Sequence, residues 1–237
     1  MINVFEPEVS IKHYRQIYKT LRNKELSGSS QIVQEFEQNI ANYFDREFCI
    51  STSNGSNSLD LALNCFDFKK HDEVIIPSFT IISCLAAVVR SGATPVFCDV
   101  DVDTWNMTLD NLKSAVTKKT KAVLMVHTYG LAAEADLIYD YCKKKGLILI
   151  EDSAEAHGQM VENKKCGSFG DISTLSFYAN KHVTTGEGGA VLTDDKHLFK
   201  KLQQMKNLDF VSDKRFQHDN LYWNYRLGAV SYTHLTL

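Results

Sequence analysis

Lys181 is the residue whose surroundings most favour chemistry. It follows the apolar run DISTLSF and precedes the glycine-rich stretch TTGEGG. Gly186, Gly188 and Gly189 permit close backbone approach or unusual dihedral angles there. An amine attacks a carbonyl group only when it is deprotonated, and partial burial near another cation favours that state. Most lysines are solvated surface charges, so the pattern leaves a surface residue and an imine-forming nucleophile as alternatives.

Asp152 is a second polar residue at the end of an apolar run. It directly follows LILIE, so its carboxylate is expected at a strand tip, partly shielded from water. A cofactor with a pyridine ring, such as pyridoxal 5'-phosphate, needs an anion beside its ring nitrogen. A helix N-cap for the segment that begins at Ser153 explains the same aspartate equally well.

A third group of residues could bind a phosphate. The stretch STSNGSNSLDLAL leads from a strand-like FCIS through Gly55 into a helical pattern. The amides of Ser56 and Asn57 would then lie at a helix N-terminus, where the helix dipole favours an anion. The pattern is weak by itself, because small polar residues ahead of a helix are commonly simple caps and GxxxxGK is absent from the sequence.

These residues need a fold that brings them together. Short apolar, β-branched runs predict strands at EVIIPS, TPVFCDV, KAVLMVH, LILIEDS, DISTLSF and GAVLTD. Helical patterns occur between several of them, at NSLDLALNCF, TIISCLAAVVRSG and EADLIYDYCKKKG. The alternation predicts an α/β fold, a mostly parallel mixed sheet sandwiched by helices. Ligands of such sheets bind at the carboxyl ends of strands, and His127, Asp152 and Lys181 all follow predicted strands.

Composition narrows the class of protein. The chain has 237 residues, of which 44% are hydrophobic and 23% charged, with a net charge of −3, as in a globular protein with one large domain. The charges are mixed in sign, which argues against nucleic acid or a membrane surface as a partner. The sequence has neither a signal-like N-terminus nor a membrane-spanning apolar run. The six cysteines form no CxxC pair, so we expect reduced thiols in a cytoplasmic protein and no metal site.

Six motifs occur together in one order: TSNGSNSLDLAL, IIPSFT, VHTYG, IEDSAEAHG, LSFYANKHVTTGEGGAVLTDD and WNYRLGA. In this order they resemble the DegT/StrS family of sugar-nucleotide aminotransferases, and its perosamine-synthase-like members in particular. The resemblance covers nearly the whole chain, from GSSQIVQEFE to WNYRLGA. It implies that residues 1–230 form the large domain of a fold-type I enzyme that depends on pyridoxal 5'-phosphate (PLP).

The resemblance also implies roles for three residues of the predicted site. Lys181 would bind the cofactor covalently and then move a proton between the cofactor and the sugar carbon. Asp152 would bind the pyridine nitrogen. Glu155 would lie near the cofactor's 3'-oxygen, where many relatives carry glutamine.

Further cofactor contacts follow from the same resemblance. Gly55 precedes the amides of Ser56 and Asn57, which with Ser176 would hold the phosphate. Asn224, in WNYR, would reach the phosphate in the neighbouring subunit, which implies a homodimer with shared sites.

One departure from the family pattern concerns the face of the ring. Ile81 stands where many relatives have an aromatic residue, so an aliphatic side chain would cover the ring. Phe79 is a candidate to compensate, with core packing as the alternative. His127 and Tyr129, in VHTYG, also have a structural role as an alternative.

The function that the resemblance implies is transfer of an amino group, with glutamate as donor, to a keto sugar linked to a nucleotide, in polysaccharide or O-antigen biosynthesis. Lysine at position 181 counts against the family's dehydratases, in which histidine replaces it. One alternative is another PLP reaction on the same fold, such as that of a desulfurase or an aldolase. The other is a PLP-binding fragment without turnover, because relatives continue into a small C-terminal domain, whereas residues 231–237 read as an atypical tail from a truncated gene model.

Overall fold

The computed structural model describes residues 10–210 and 216–232. Its elements follow in the order α1 (Ile11–Arg22), α2 (Gln31–Tyr43), β1 (Phe48–Thr52), α3 (Gly55–Asn64), β2 (Glu73–Pro77), α4 (Ile82–Arg90), β3 (Thr94–Cys98), α5 (Leu109–Ala115), β4 (Thr120–Val126), a 3-10 turn (Thr128–Gly130), α6 (Ala135–Lys145), β5 (Ile148–Asp152), β6 (Met160–Val161), β7 (Lys164–Lys165), β8 (Ile172–Ser176), β9 (Gly189–Thr193), α7 (Lys196–Lys206) and α8 (Ala229–Tyr232).

The main sheet has seven strands in the order β1-β9-β8-β5-β4-β2-β3, and β6 and β7 form a separate hairpin. Neighbouring strands are parallel except at β9, which is antiparallel to both β1 and β8. The predicted mixed, mostly parallel sheet is confirmed, and the six predicted strands are β2, β3, β4, β5, β8 and β9.

The three predicted helices are confirmed as α3, α4 and α6. Helix α6 is capped by Gly146, the last residue of the pattern EADLIYDYCKKKG, whose φ of 65° is left-handed and suits glycine. Helices α1, α2, α5 and α7 and the β6–β7 hairpin have no counterpart among the elements predicted from the sequence.

Helices cover both faces of the sheet, and strand alternation divides the core between them. In β4, Leu124 packs toward α3, α4 and α7, whereas its neighbours Val123 and Met125 pack toward α5 and α6. Helix α2 covers the far end of that second face, where Phe36 packs on β1, β8 and β9. Burying each such side chain contributes about 1.5–3 kcal/mol to stability. Because both faces of these strands are buried, their sequences are continuous apolar runs.

The sheet brings the chemistry-bearing residues to one edge. Strands β1, β2, β4, β5 and β8 all run in the same direction and therefore end at the same edge. All six cysteines are buried and none forms a disulfide, as predicted.

No helix in the described part of the chain has both the length and the apolar character needed to cross a bilayer. Of the predicted tail, residues 231 and 232 belong to α8, and residues 233–237 lie outside the described residues.

Candidate active site

A cavity of about 790 Å³ opens at the carboxyl edge of the sheet. Its walls come from the segments that follow five strands: residues 54–57, 79–81, 127–129, 154–155 and 176–181 contribute most of them. Eight of the predicted site residues line it, namely Gly55, Ser56, Asn57, Ile81, Asp152, Glu155, Ser176 and Lys181. Asn224 is the predicted residue that does not.

Lys181 lies inside this cavity as one half of an ion pair. Its Nζ is 2.8 Å from Glu155 Oε1, and 15% of its side chain is exposed. The other carboxylate oxygen of Glu155 accepts the amide of Tyr129 at 2.8 Å. The Lys181 amide donates to the carbonyl oxygen of Tyr178 at 2.9 Å, which closes a turn directly after β8. Lys181 is therefore held in the site rather than being a solvated surface charge.

The glycines after Lys181 have the predicted freedom. Gly186 and Gly188 have φ angles of 78° and 156°, which residues with a side chain rarely adopt. Gly189 permits close approach instead, because a Cβ there would lie 2.6 Å from the carbonyl oxygen of Asn54. The turn thereby brings β9 against the start of α3.

Asp152 is the buried acid of the site, with 2% of the residue exposed. Its Oδ1 accepts the amide of Ala154 at 3.0 Å, and the Cys84 thiol lies 3.5 Å from Oδ2. Burial raises the pKa of this carboxyl, although the Ala154 amide and the positive charge of Lys181 oppose the increase. Within the described residues Asp152 has no ion-pair partner. The alternative of a helix N-cap is wrong, because the chain after Asp152 forms turns and not a helix.

The N-terminus of α3 forms another wall of the cavity. Asn54 is its N-cap, and the Asn54 side chain accepts the amide of Asn57 at 2.9 Å. The Asn57 amide, predicted to hold a phosphate, is thus already engaged in the cap. The amides of Gly55 and Ser56 lie in the first turn, where the helix itself offers no acceptor.

Two serines flank this helix end. The Ser56 and Ser83 hydroxyls lie 2.7 Å apart, which joins the starts of α3 and α4. Ser176, at the end of β8, packs so closely that a Cβ on Gly55 would lie 2.7 Å from its own Cβ. Glycine at position 55 therefore lets the helix N-terminus and the Ser176 hydroxyl form one small polar surface.

Ile81 and Phe79 both line the opening of the cavity, with 61% and 43% of each residue exposed. Phe79 is therefore not a core residue, contrary to the packing alternative. It contacts two further aromatic rings, those of Trp105 and Tyr129.

His127 has a structural role that depends on Glu151, a residue that sequence reasoning missed. Glu151 is fully buried and lies 3.0 Å from His127 Nε2, while His127 Nδ1 accepts the amide of Ala133 at 3.1 Å. Burial opposes ionisation of Glu151, but the bonds from His127 and from the amides of Gly167 and Gly170 lower its pKa to about 2. The one available signal was a glutamate inside the apolar run LILIED.

Asn224 lies outside the cavity and is exposed. Its Oδ1 accepts both the amide and Nε of Arg226, at 3.2 and 3.0 Å. The adjacent Tyr225 fixes this segment to α3, because its hydroxyl donates to Asp60 Oδ2 at 2.6 Å. The contact predicted between Asn224 and the neighbouring subunit's cofactor stays a prediction.

Comparisons with a family model and with individual known proteins point to the same family. A model of the DegT/DnrJ/EryC1/StrS aminotransferase family matches residues 9–233. GDP-perosamine synthase of Escherichia coli O157:H7 is 37% identical to this chain over 229 residues, which are 97% of the chain and 63% of that relative.

Solved structures have the same fold. An aminotransferase from Psychrobacter cryohalolentis has 32% identity and a TM-score of 0.88, over 96% of this chain and 61% of its own. A GDP-4-keto-6-deoxymannose-3-dehydratase with a trapped PLP–glutamate geminal diamine has 25% identity and a TM-score of 0.93, over 98% and 66%. The chain spans less than two thirds of the length of each of these three proteins. It belongs to the DegT/DnrJ/EryC1/StrS aminotransferase family.

Proposed function

We propose that this chain forms the cofactor-binding part of a PLP-dependent aminotransferase, which moves an amino group from glutamate to a keto sugar linked to a nucleotide. The observation that carries the proposal is the position of the Lys181 amine. The amine lies 2.8 Å from Glu155 inside a cavity. The walls of this cavity also include the buried acid Asp152 and the N-terminus of α3.

These residues fit PLP. Asp152 is a buried carboxylate without an ion-pair partner in the described chain, which suits a protonated ring nitrogen. The start of α3 and the Ser176 hydroxyl suit a phosphate, and the tight contact at Gly55 leaves no room there for a side chain. When bound, the cofactor supplies an electron sink that stabilises negative charge on the substrate carbon.

The chain's own residues would perform the remaining tasks. Lys181 would attach the cofactor through Nζ and then hold and move a proton at that atom. Glu155 positions the Lys181 amine, and Asp152 keeps a negative charge where the ring needs it. Ile81 and Phe79 line the cavity where it is exposed, and there they would limit access of water.

The substrate assignment is supported by the relatives. GDP-perosamine synthase makes a GDP-linked amino sugar by its name, and the solved dehydratase was captured with a glutamate adduct of PLP. Lysine rather than histidine at position 181 favours transamination over dehydration. A homodimer in the cytoplasm that shares sites through Asn224, and a place in O-antigen biosynthesis, are part of the same proposal.

The first test is a spectrum of the purified chain with PLP, followed by borohydride reduction and peptide mapping. We expect visible absorbance from a bound imine and a reduced adduct on Lys181. Lys181→Ala should lose both, whereas Lys196→Ala, at an exposed lysine on α7, should keep both. An unmodified Lys181 in a folded, PLP-saturated chain would contradict the proposal.

A second measurement separates transamination from cofactor binding alone. Glutamate added to the PLP-loaded chain should convert the visible absorbance to that of the pyridoxamine form. An adduct on Lys181 without any change on addition of glutamate would instead favour a fragment that binds PLP without turnover.

A further inference from the structure

Three exposed aromatic side chains form a cluster at the mouth of the cavity, which we call the aromatic rim. Phe79, Trp105 and Tyr129 are 43%, 49% and 69% exposed. Their ring centroids lie 5.5, 6.0 and 6.3 Å apart, each pair edge to face. Single exposed aromatic residues are ordinary, but a contiguous group beside a cavity is typical of a binding surface.

The backbone presents two of these rings in an unfavourable conformation. Trp105 and Tyr129 have φ angles of 59° and 53°, in the left-handed region that bulky residues rarely adopt. Such strain persists only where the surroundings hold it, and it is concentrated at functional sites. Here the Trp105 amide donates to Asp101 and the Tyr129 amide to Glu155, each at 2.8 Å.

A buried asparagine joins the two loops that carry Trp105 and Tyr129. Asn106, 2% exposed, accepts the amide of Thr128 at 2.9 Å through Oδ1. Its Nδ2 donates to the carbonyl oxygens of Thr104 and Leu131, at 3.2 and 3.0 Å. The buried Asn106 side chain therefore holds the two loops of the rim in a fixed arrangement.

The charges around the rim indicate which part of a ligand it takes. The loop that carries Trp105 also carries Asp101 and Asp103, so a diphosphate would be repelled there. A planar, uncharged ring has no such penalty, and aromatic side chains are the surfaces on which nucleobases stack. Phe79 and Tyr129 belong to both the rim and the cavity, so a ligand on the rim continues into the site that holds Lys181.

We propose that the aromatic rim binds the base of the nucleotide-linked sugar, with Asn106 as the positioning residue for its loops. This assignment rests on the proposed function. It concerns only the base, whose ring would stack on Trp105 or Tyr129 and lie outside the cavity that receives the sugar.

The test uses the whole PLP-loaded chain and three probes: GDP, dTDP and inorganic pyrophosphate. Trp105→Ala should weaken binding of the better nucleotide about tenfold and leave binding of pyrophosphate and PLP unchanged. Trp105→Phe, which keeps a ring, should restore most of the affinity. Phe97→Ala is the matched control, because Phe97 is 57% exposed on β3 and outside the rim.

Fluorescence provides a direct signal. The sequence has two tryptophans, so the background Trp223→Phe leaves Trp105 as the only tryptophan, and a stacked base should quench its emission. Asn106→Ala should reduce this quenching while the visible absorbance of bound PLP persists.

Equal nucleotide affinity in Trp105→Ala and the unchanged chain would overturn the proposal, as would absence of nucleotide binding to the PLP-loaded chain. A lower sedimentation coefficient in Trp105→Ala, with nucleotide affinity unchanged, would make the rim a contact between copies and also overturn it. The Lys181 adduct is read separately, so its absence would refute the proposed function without being mistaken for failure of the rim.

Discussion

Glu155 forms an ion pair with the Lys181 amine, and its two oxygens accept different hydrogen bonds. Oε1 accepts from Lys181 Nζ, while Oε2 accepts the Tyr129 amide, each at 2.8 Å. The Tyr129 amide thereby fixes the carboxylate that holds Lys181. Glu155 therefore positions the Lys181 amine inside the cavity.

Replacing Glu155 with glutamine should test this positioning role. The glutamine carbonyl oxygen can keep the contact to Tyr129, but the NH2 group cannot accept from Lys181, so covalent attachment of PLP should become about twofold to fivefold slower. Stopped-flow absorbance measures the rate, and Glu35→Gln, at an exposed position on α2, is the control. Attachment that is equally fast or faster in Glu155→Gln would contradict this positioning role.

The sequence indicated side chains that line the cavity but not the residues that support them. Ser176 was predicted from the family resemblance, whereas Lys181 and Asp152 were predictable because each comes at the end of an apolar run; all three line the cavity. Glu151 and Asn106 were not predictable, because their importance comes from partners on distant segments that only the folded chain brings near. Asp152 read equally well as a helix cap because the turn that follows it looks like a helix start.

Strand β9 helps to position the site, although it forms little of the cavity wall. It runs against its two neighbours and brings Gly189 to the start of α3, where a Cβ would lie 2.5 Å from Ser58 Oγ and 2.6 Å from the carbonyl oxygen of Asn54. The contact to Asn54 is with backbone, which cannot rotate away. This close approach sets the distance between the sheet and the helix N-terminus.

Gly189→Ala should therefore lower the free energy of unfolding by about 1–3 kcal/mol, the range for overpacking. It should also weaken PLP binding, because α3 must move away from Ser176. Gly228→Ala is the matched control, since nothing lies within 4 Å of a Cβ there. Urea unfolding measures both variants, and equal midpoints for the two would contradict this account of β9.

Most strands of the main sheet and three of the helices were readable from the sequence, whereas the order of the strands and the direction of each one were not. An apolar run such as GAVLTD looks the same whether its strand is parallel or antiparallel, so the direction of β9 could not be predicted. Helices α2 and α7 were missed even though each buries an apolar face, as Phe36 and Leu202 show.

Across the whole molecule, two buried groups make stability depend on pH in the same direction. Burial, with the charges of His182 and Lys181, lowers the pKa of His157 to about 4, so the folded chain keeps this ring neutral where the unfolded chain protonates it. Glu151, with a pKa of about 2, is ionised in the fold where the unfolded chain binds a proton. Stability is therefore lost as pH falls, from about 6.5 to 4 for His157 and from about 4.5 to 2 for Glu151.

The His157 contribution can be isolated by mutation. Neither ring nitrogen of His157 has a hydrogen-bond partner in the described chain, so leucine removes the titrating group without breaking such a bond. Between pH 6.5 and 4 the unchanged chain should lose up to about 3 kcal/mol more than His157→Leu. Urea unfolding across this range measures the difference, with exposed His71→Leu as control; parallel pH curves for the chain and His157→Leu would exclude this role.

The position of β1 has a consequence for the order in which the sheet forms. Among the described strands β1 pairs only with β9, Phe48 opposite Thr193, so most of the chain lies between the two partners. Strands β2 to β5 pair with one another and can assemble while synthesis continues at about 5–20 residues per second. For roughly ten seconds on the ribosome, β1 and the apolar face of α2 have no sheet to join. The earliest of the described strands of this sheet is the last to gain a neighbour, so nascent chains are most exposed to aggregation and chaperones at β1 and α2.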